Sequence, residues 1–390
     1  MKKILAVIAV IILGGIGYAA AHTQKGNPVQ NPAQVEATPS AQKISVFIVP
    51  GHEPDNGGTN YKNLYERNLV VPIADDLQNL LDANGRYAAT VARDANAWAP
   101  TLAAYFQNDW NAIVAWEQAA KAAFMRTTPQ NVNASGENHN NAAVDDALRL
   151  YGMTKWADEN NIDLMVHVHL NNYPEAMAKG IVGKYSGFVV YMPASNLKNS
   201  AAAKPIAQAV FDRLSLYNPV SNLPVESAGL EEDSQLIAMG AYDTADMPSI
   251  LVEYEYIYEP QIVNPATRAI AFKDFAYQTY LGLEDFYNHR ANVTATSSYD
   301  PADHVYDWQN RVTNANADPR DIYAMQTALI MDGDYPPKGK TRNDCPHSGT
   351  IGACTETAVA AFQQKNGITG ENAFGERTFE ALKKIYENKS

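Results

Sequence analysis

Ile44-Ser45-Val46-Phe47-Ile48-Val49-Pro50-Gly51-His52 is a short β-branched and aromatic run that ends on a proline, a glycine and a histidine. A run of this kind, bounded by turn residues, predicts a buried strand. The next residues, Glu53-Pro54-Asp55-Asn56-Gly57-Gly58, are too polar and glycine-rich to continue it, so His52 is expected in a loop at the strand's carboxyl end. Similar runs recur at residues 87–92, at Leu164-Met165-Val166-His167-Val168-His169, at Phe188-Val189-Val190-Tyr191 and at Ile250-Leu251-Val252-Glu253. Between the first two, Leu69, Val70, Ile73, Leu77, Leu80 and Leu81 recur at helical spacing and stop at Asn84-Gly85, a natural helix C-cap. Strands alternating with helices predict an α/β domain with a largely parallel sheet flanked by helices. In such open sheets ligands bind beyond the carboxyl ends of the strands, where His52 falls.

Outward from this core, the chain of 390 residues exceeds what one hydrophobic core usually serves. With 46% hydrophobic and 19% charged residues it lies in the range of folded proteins. The net charge of −13, without a basic stripe, argues against a nucleic-acid partner. Lys2-Lys3, an uncharged apolar stretch and Ala19-Ala20-Ala21 read as a secretory signal over residues 1–21, which could instead remain as a membrane anchor. Residues 22–42 are rich in Pro, Gln, Ala and Ser and read as a flexible linker. The α/β unit is expected at residues 43–288, with an Ala-, Asn- and Trp-rich insertion at about 98–149. The insertion's Trp98, Trp110, Trp116 and Phe124 are expected to pack rather than to bind. Residues 289–305 lack periodicity and are expected as a second linker, and residues 306–390 as a small all-α C-terminal domain. The two cysteines, Cys345 and Cys354, are expected to pair in an exported protein, stabilising their loop by roughly 2–3 kcal/mol.

The chemistry concentrates at the ends of the strands. Glu66 opens the first predicted helix, and a later strand ends in His167-Val168-His169-Leu170-Asn171. Two histidines and a glutamate make a zinc set, with imidazole and carboxylate filling three corners of a tetrahedron and the fourth left open for catalysis. A base is needed beside such a metal, and Glu253, inside an otherwise apolar strand, is the candidate. Residues two apart on a strand share a face, so His167 competes with His169 as a ligand and Glu255 with Glu253 as the base.

Together these residues resemble the zinc-dependent N-acetylmuramoyl-L-alanine amidases. The likeness rests on Pro50-Gly51-His52, Glu66 in Tyr65-Glu66-Arg67-Asn68-Leu69, His167-Val168-His169-Leu170-Asn171, and Leu251-Val252-Glu253 preceded by Pro248. It covers roughly residues 43–287 and extends to Arg93-Asp94 and Asp163. The resemblance implies that His52, Glu66 and His169 bind Zn2+, that Glu253 is the catalytic glutamate, and that the substrate is the muramic acid to L-alanine amide of peptidoglycan. The chain departs from the family's pattern in the delayed pair Gly57-Gly58, in the long insertion, and in His167 and Glu255. The C-terminal residues 355–367 and 374–378 resemble a peptidoglycan-binding domain. Two further readings stand beside hydrolysis of that amide: a zinc peptidase acting on another cell-wall amide bond, and a catalytically idle peptidoglycan-binding protein. The expected location is the periplasm, cell envelope or exterior.

Overall fold

Strand β1 (Ile44–Pro50) is the apolar run that opens the domain. The computed structural model describes residues 43–127, 143–173, 179–290 and 292–388. The expected signal and linker at residues 1–42, and residues 128–142 within the expected insertion, lie outside them. After β1 come a two-stranded hairpin, β2 (Asn60–Tyr61) with β3 (Leu64–Tyr65), then helix α1 (Glu66–Asn84) and strand β4 (Tyr87–Val91). The predicted C-cap holds: Gly85 ends α1 in the left-handed region, with φ 75°. Helices α2 (Pro100–Thr127) and α3 (Val144–Glu159) follow, then β5 (Leu164–Asn171), β6 (Val189–Pro193), α4 (Ser200–Tyr217), β7 (Leu230–Asp233) and β8 (Ser249–Tyr256).

The six-stranded sheet runs β4-β1-β5-β8-β6-β7. The first four strands are mutually parallel; β6 pairs antiparallel with β8 and parallel with β7. The largely parallel sheet expected from the sequence is therefore present, with a reversed pair at one edge. Side chains alternate across it. Val46, Ile48, Val166, Val168, Ile250 and Val252 belong to one apolar cluster, closed by residues such as Val70, Ile73 and Leu77 of α1 and Val210 of α4. On the other face Phe47, Val49 and Met165 pack with Leu102 and Phe106 of α2 and Tyr151 of α3. The insertion thus covers one face of the sheet. Trp98, Trp110 and Trp116 pack against that cluster, and Phe124 meets Tyr242 edge to face.

Beyond β8 lie α5 (Pro260–Val263), α6 (Pro265–Tyr287), α7 (Pro301–His304), α8 (Pro319–Asp332), α9 (Ala353–Lys365) and α10 (Glu376–Tyr386). Cys345 and Cys354 form a disulfide. The described residues from Lys43 onward form one compact unit. Ile322, Leu329, Val359, Phe362 and Leu382 of the C-terminal helices join the same apolar cluster as Ile270 and Phe275 of α6. The segment expected as a second linker packs as well, with Tyr299 0% exposed.

Candidate active site

A loop, a helix start and a strand meet at the carboxyl ends of β1 and β5. His52 follows β1, Glu66 is the first residue of α1, and His169 lies near the end of β5. One ligand atom from each lies within 4.8 Å of the others. Glu66 is 3% exposed and centres the group. Its Oε1 stands 3.0 Å from His169 Nδ1 and its Oε2 2.8 Å from His52 Nε2. Backbone amides hold it there: Thr59 donates to Oε2 at 2.8 Å and Leu170 to Oε1 at 3.2 Å. An acidic residue in the first turn also sits well against the helix dipole. The glycines close to the imidazoles leave room for them. A Cβ on Gly51 would lie 2.3 Å from His169 Cε1, and one on Gly58 would lie 2.9 Å from His52 Cδ2.

The electrostatics follow from this crowding. Burial alone would raise the pKa of Glu66, but the two imidazoles outweigh it and hold the carboxyl far below its ordinary range. Burial works to lower the pKa of His52, and Glu66 more than offsets it. For His169 burial prevails and the pKa falls. Two imidazoles and a carboxylate offering converging lone pairs fit a zinc ion by donor type and by number. His52 Nε2 adds an observation of fit: it is buried and close to Glu66, yet lacks hydrogen-bond geometry with any partner. A cation among the three donors would take that lone pair.

Glu253 pairs in register with His169 across β5 and β8, and so stands on the same face of the sheet. Its Oε2 is buried without a hydrogen bond. Burial raises its pKa well above the usual carboxyl value, and the neighbouring carboxylates Glu66 and Glu226 add to the rise. The alternates are placed differently. His167 is 1% exposed, is not one of the three converging ligands, and is kept neutral by burial and by His169, with its pKa lowered to about 3. Glu255 is engaged elsewhere: the amides of Gly187 and Tyr256 and the side chain of Gln261 donate to its carboxylate.

Two neighbours of the site escaped the sequence reading, and a third, Arg93, entered it only through the resemblance, without a role. Glu226, 4% exposed, accepts hydrogen bonds from Asn171, Tyr191, Ser221 and Tyr256. Nothing in its local sequence marks it, because its donors come from four separate segments. Glu53 binds Arg149 of α3 at 3.3 Å, tying the insertion to the loop of His52; burial pushes its pKa up to about 7 against the pull of Arg149. Arg93 follows β4 and is 1% exposed, a burial that an arginine directly after an apolar strand could have signalled.

Comparison with known proteins gives the family. The N-acetylmuramoyl-L-alanine amidase family profile matches residues 46–285, well over half of the chain. The chain therefore belongs to the N-acetylmuramoyl-L-alanine amidase family, an enzyme class that hydrolyses an amide of peptidoglycan. Similar solved structures include N-acetylmuramoyl-L-alanine amidase from Clostridium difficile 630, at 17% identity and TM-score 0.41, covering 64% of this chain and 99% of that one. Ami1 from Mycobacterium smegmatis gives 18% and 0.42, covering 64% and 100%. AmiC2 of Nostoc punctiforme gives 17% and 0.39, covering 64% and 99%. The comparison with curated proteins found no match.

Proposed function

We propose that this amidase is zinc-dependent and cleaves the bond between N-acetylmuramic acid and L-alanine, with His52, Glu66 and His169 as metal ligands and Glu253 as general base. The observation that carries the reading is the convergence of three donors, from three separate elements, within 4.8 Å. A zinc ion held by them would supply Lewis acidity, polarising the scissile carbonyl and making water acidic enough to attack at neutral pH. The residues of the chain do the rest. The amides of Thr59 and Leu170 hold Glu66 between the two imidazoles, which keeps the three donors close together. Glu253, one strand away from His169, takes the proton of the attacking water and delivers it to the leaving amino group of L-alanine.

The same reading extends to the ends of the chain. Residues 1–21 direct export, with or without later cleavage, and no helix among the described residues is long and apolar enough to cross a membrane. Residues 306–390 contact peptidoglycan beside the catalytic unit, through the helical segment that resembles a wall-binding domain.

Glu253→Gln tests the chemistry, since it keeps the shape of the side chain and removes its basicity. At matched zinc occupancy, hydrolysis of purified sacculi is expected to fall at least about a hundredfold, with zinc content unchanged. Glu255→Gln is expected to be milder, because that carboxylate is bound by Gly187 and Gln261. Near-normal turnover in Glu253→Gln with collapse in Glu255→Gln would move the base to Glu255.

A further inference from the structure

Arg93 is a buried cation with an unusual set of partners. Its Nε donates to the carbonyls of Pro50 at 3.2 Å and His52 at 2.8 Å, and Nη1 to that of Asp94 at 2.9 Å. Nη2 donates to the carbonyls of Gly51 and, at 2.9 Å, of Arg67. Among the described residues no carboxylate forms an ion pair with it, and burial lowers its pKa to about 10. Three of the five carbonyls belong to consecutive residues ending at His52, and a fourth to the residue after Glu66. Successive carbonyls of an extended strand point to opposite sides. These converge where His52 takes a φ of 69°, a left-handed conformation that a residue with a side chain keeps only when its surroundings hold it there. The flat fork of a guanidinium can span such a set, whereas the point-like ammonium of lysine cannot.

We propose that Arg93 is a positioning residue of the metal centre: its guanidinium fastens the backbone of His52 to the start of the helix that carries Glu66, setting the separation of the two ligands. The inference rests on the metal reading above. Arg213 of α4 provides an internal contrast. It is equally buried, but binds the carboxylate of Asp285 and the carbonyl of Ser297, on the face of the sheet covered by α4. Its loss would cost stability without disturbing the ligands.

The test is zinc affinity, measured by competition with a chromogenic chelator on Arg93→Lys, Arg93→Ala and Arg213→Lys, each first shown to unfold cooperatively. Wild type is expected to bind one equivalent, and Arg213→Lys to bind it equally well at a lowered Tm. Arg93→Lys is expected to bind zinc about 10- to 100-fold more weakly, and methylguanidinium is expected to restore part of the affinity of Arg93→Ala. Should Arg93→Ala fail to fold, Arg93→Lys carries the comparison. Wild-type affinity in folded Arg93→Lys overturns the inference alone. An equal loss in Arg213→Lys also overturns it, since the effect would then follow stability. A wild-type protein that binds no zinc through His52 overturns the metal reading together with the inference.

Discussion

Gly51 and His169 show how little slack the site has. A Cβ on Gly51 would meet three atoms of the His169 ring, the nearest at 2.3 Å, and the backbone there is fixed by the pairing of β1 with β5. Gly51→Ala is therefore expected to fold but to bind zinc at least about tenfold more weakly, as read by chelator competition. Unchanged affinity would mean that His169 has room the geometry does not show. His167→Ala, by contrast, is expected to keep its zinc. Strand periodicity alone could not separate the two histidines, since residues two apart share a face, and the choice of His169 came from the family resemblance. Only the tertiary arrangement brings Glu66 to His169 and leaves His167 buried beside it. His52 and Glu66 were legible because each is a polar residue at the end or start of an apolar element, and Glu253 because it is a carboxylate inside an apolar strand. Glu226 and the hydrogen bonds of Arg93 were not, because their partners are distant in sequence and include backbone carbonyls that carry no side-chain signal.

At the scale of elements, the relation of β1 to β5 decides whether His52 meets His169. Asp163 helps fix it: Ser45 donates to Asp163 Oδ2 from its amide at 2.7 Å and from its hydroxyl at 2.8 Å. The pair is exposed, so Asp163→Ala is expected to lower stability by about 0.5–1.5 kcal/mol. The denaturant midpoint should shift with an unchanged m-value, and an unshifted midpoint would deny Asp163 this role. The strands that place the ligands were readable from their apolar runs. The sequence reading already placed Glu255 on the same strand face as Glu253, and β8 continues to Tyr256, with Tyr254 and Tyr256 buried in the main apolar cluster. Strand β7 was missed altogether. Leu230-Glu231-Glu232-Asp233 carries three carboxylates in four residues, a composition tolerated at the edge of a sheet, where charge discourages further pairing.

At the scale of the whole molecule, the C-terminal helices are joined to the catalytic unit by buried polar contacts as well as by apolar packing. Asp274 of α6 is 0% exposed and accepts hydrogen bonds from Tyr299 at 2.6 Å and Tyr323 of α8 at 3.1 Å. Arg342 donates to the carbonyl of Leu216 at the end of α4. Loops without periodicity look like linkers in sequence, and the burial of Tyr299 and Val305 shows that the later part of this one packs. Limited proteolysis is therefore expected not to release the C-terminal helices from the catalytic unit, and a stable fragment ending near residue 300 would contradict this. Tyr323→Phe, which removes one donor from Asp274, is expected to cost about 1–3 kcal/mol in denaturant unfolding. The central claim, hydrolysis by a zinc centre, is met most directly by mass spectrometry of the products released from purified sacculi. The metal-stripped protein should release nothing, and one equivalent of zinc should restore release of stem peptides bearing a free L-alanine amino terminus. Equal release by the zinc-free protein, or release of peptides cut at another bond by the zinc-loaded one, would contradict the account.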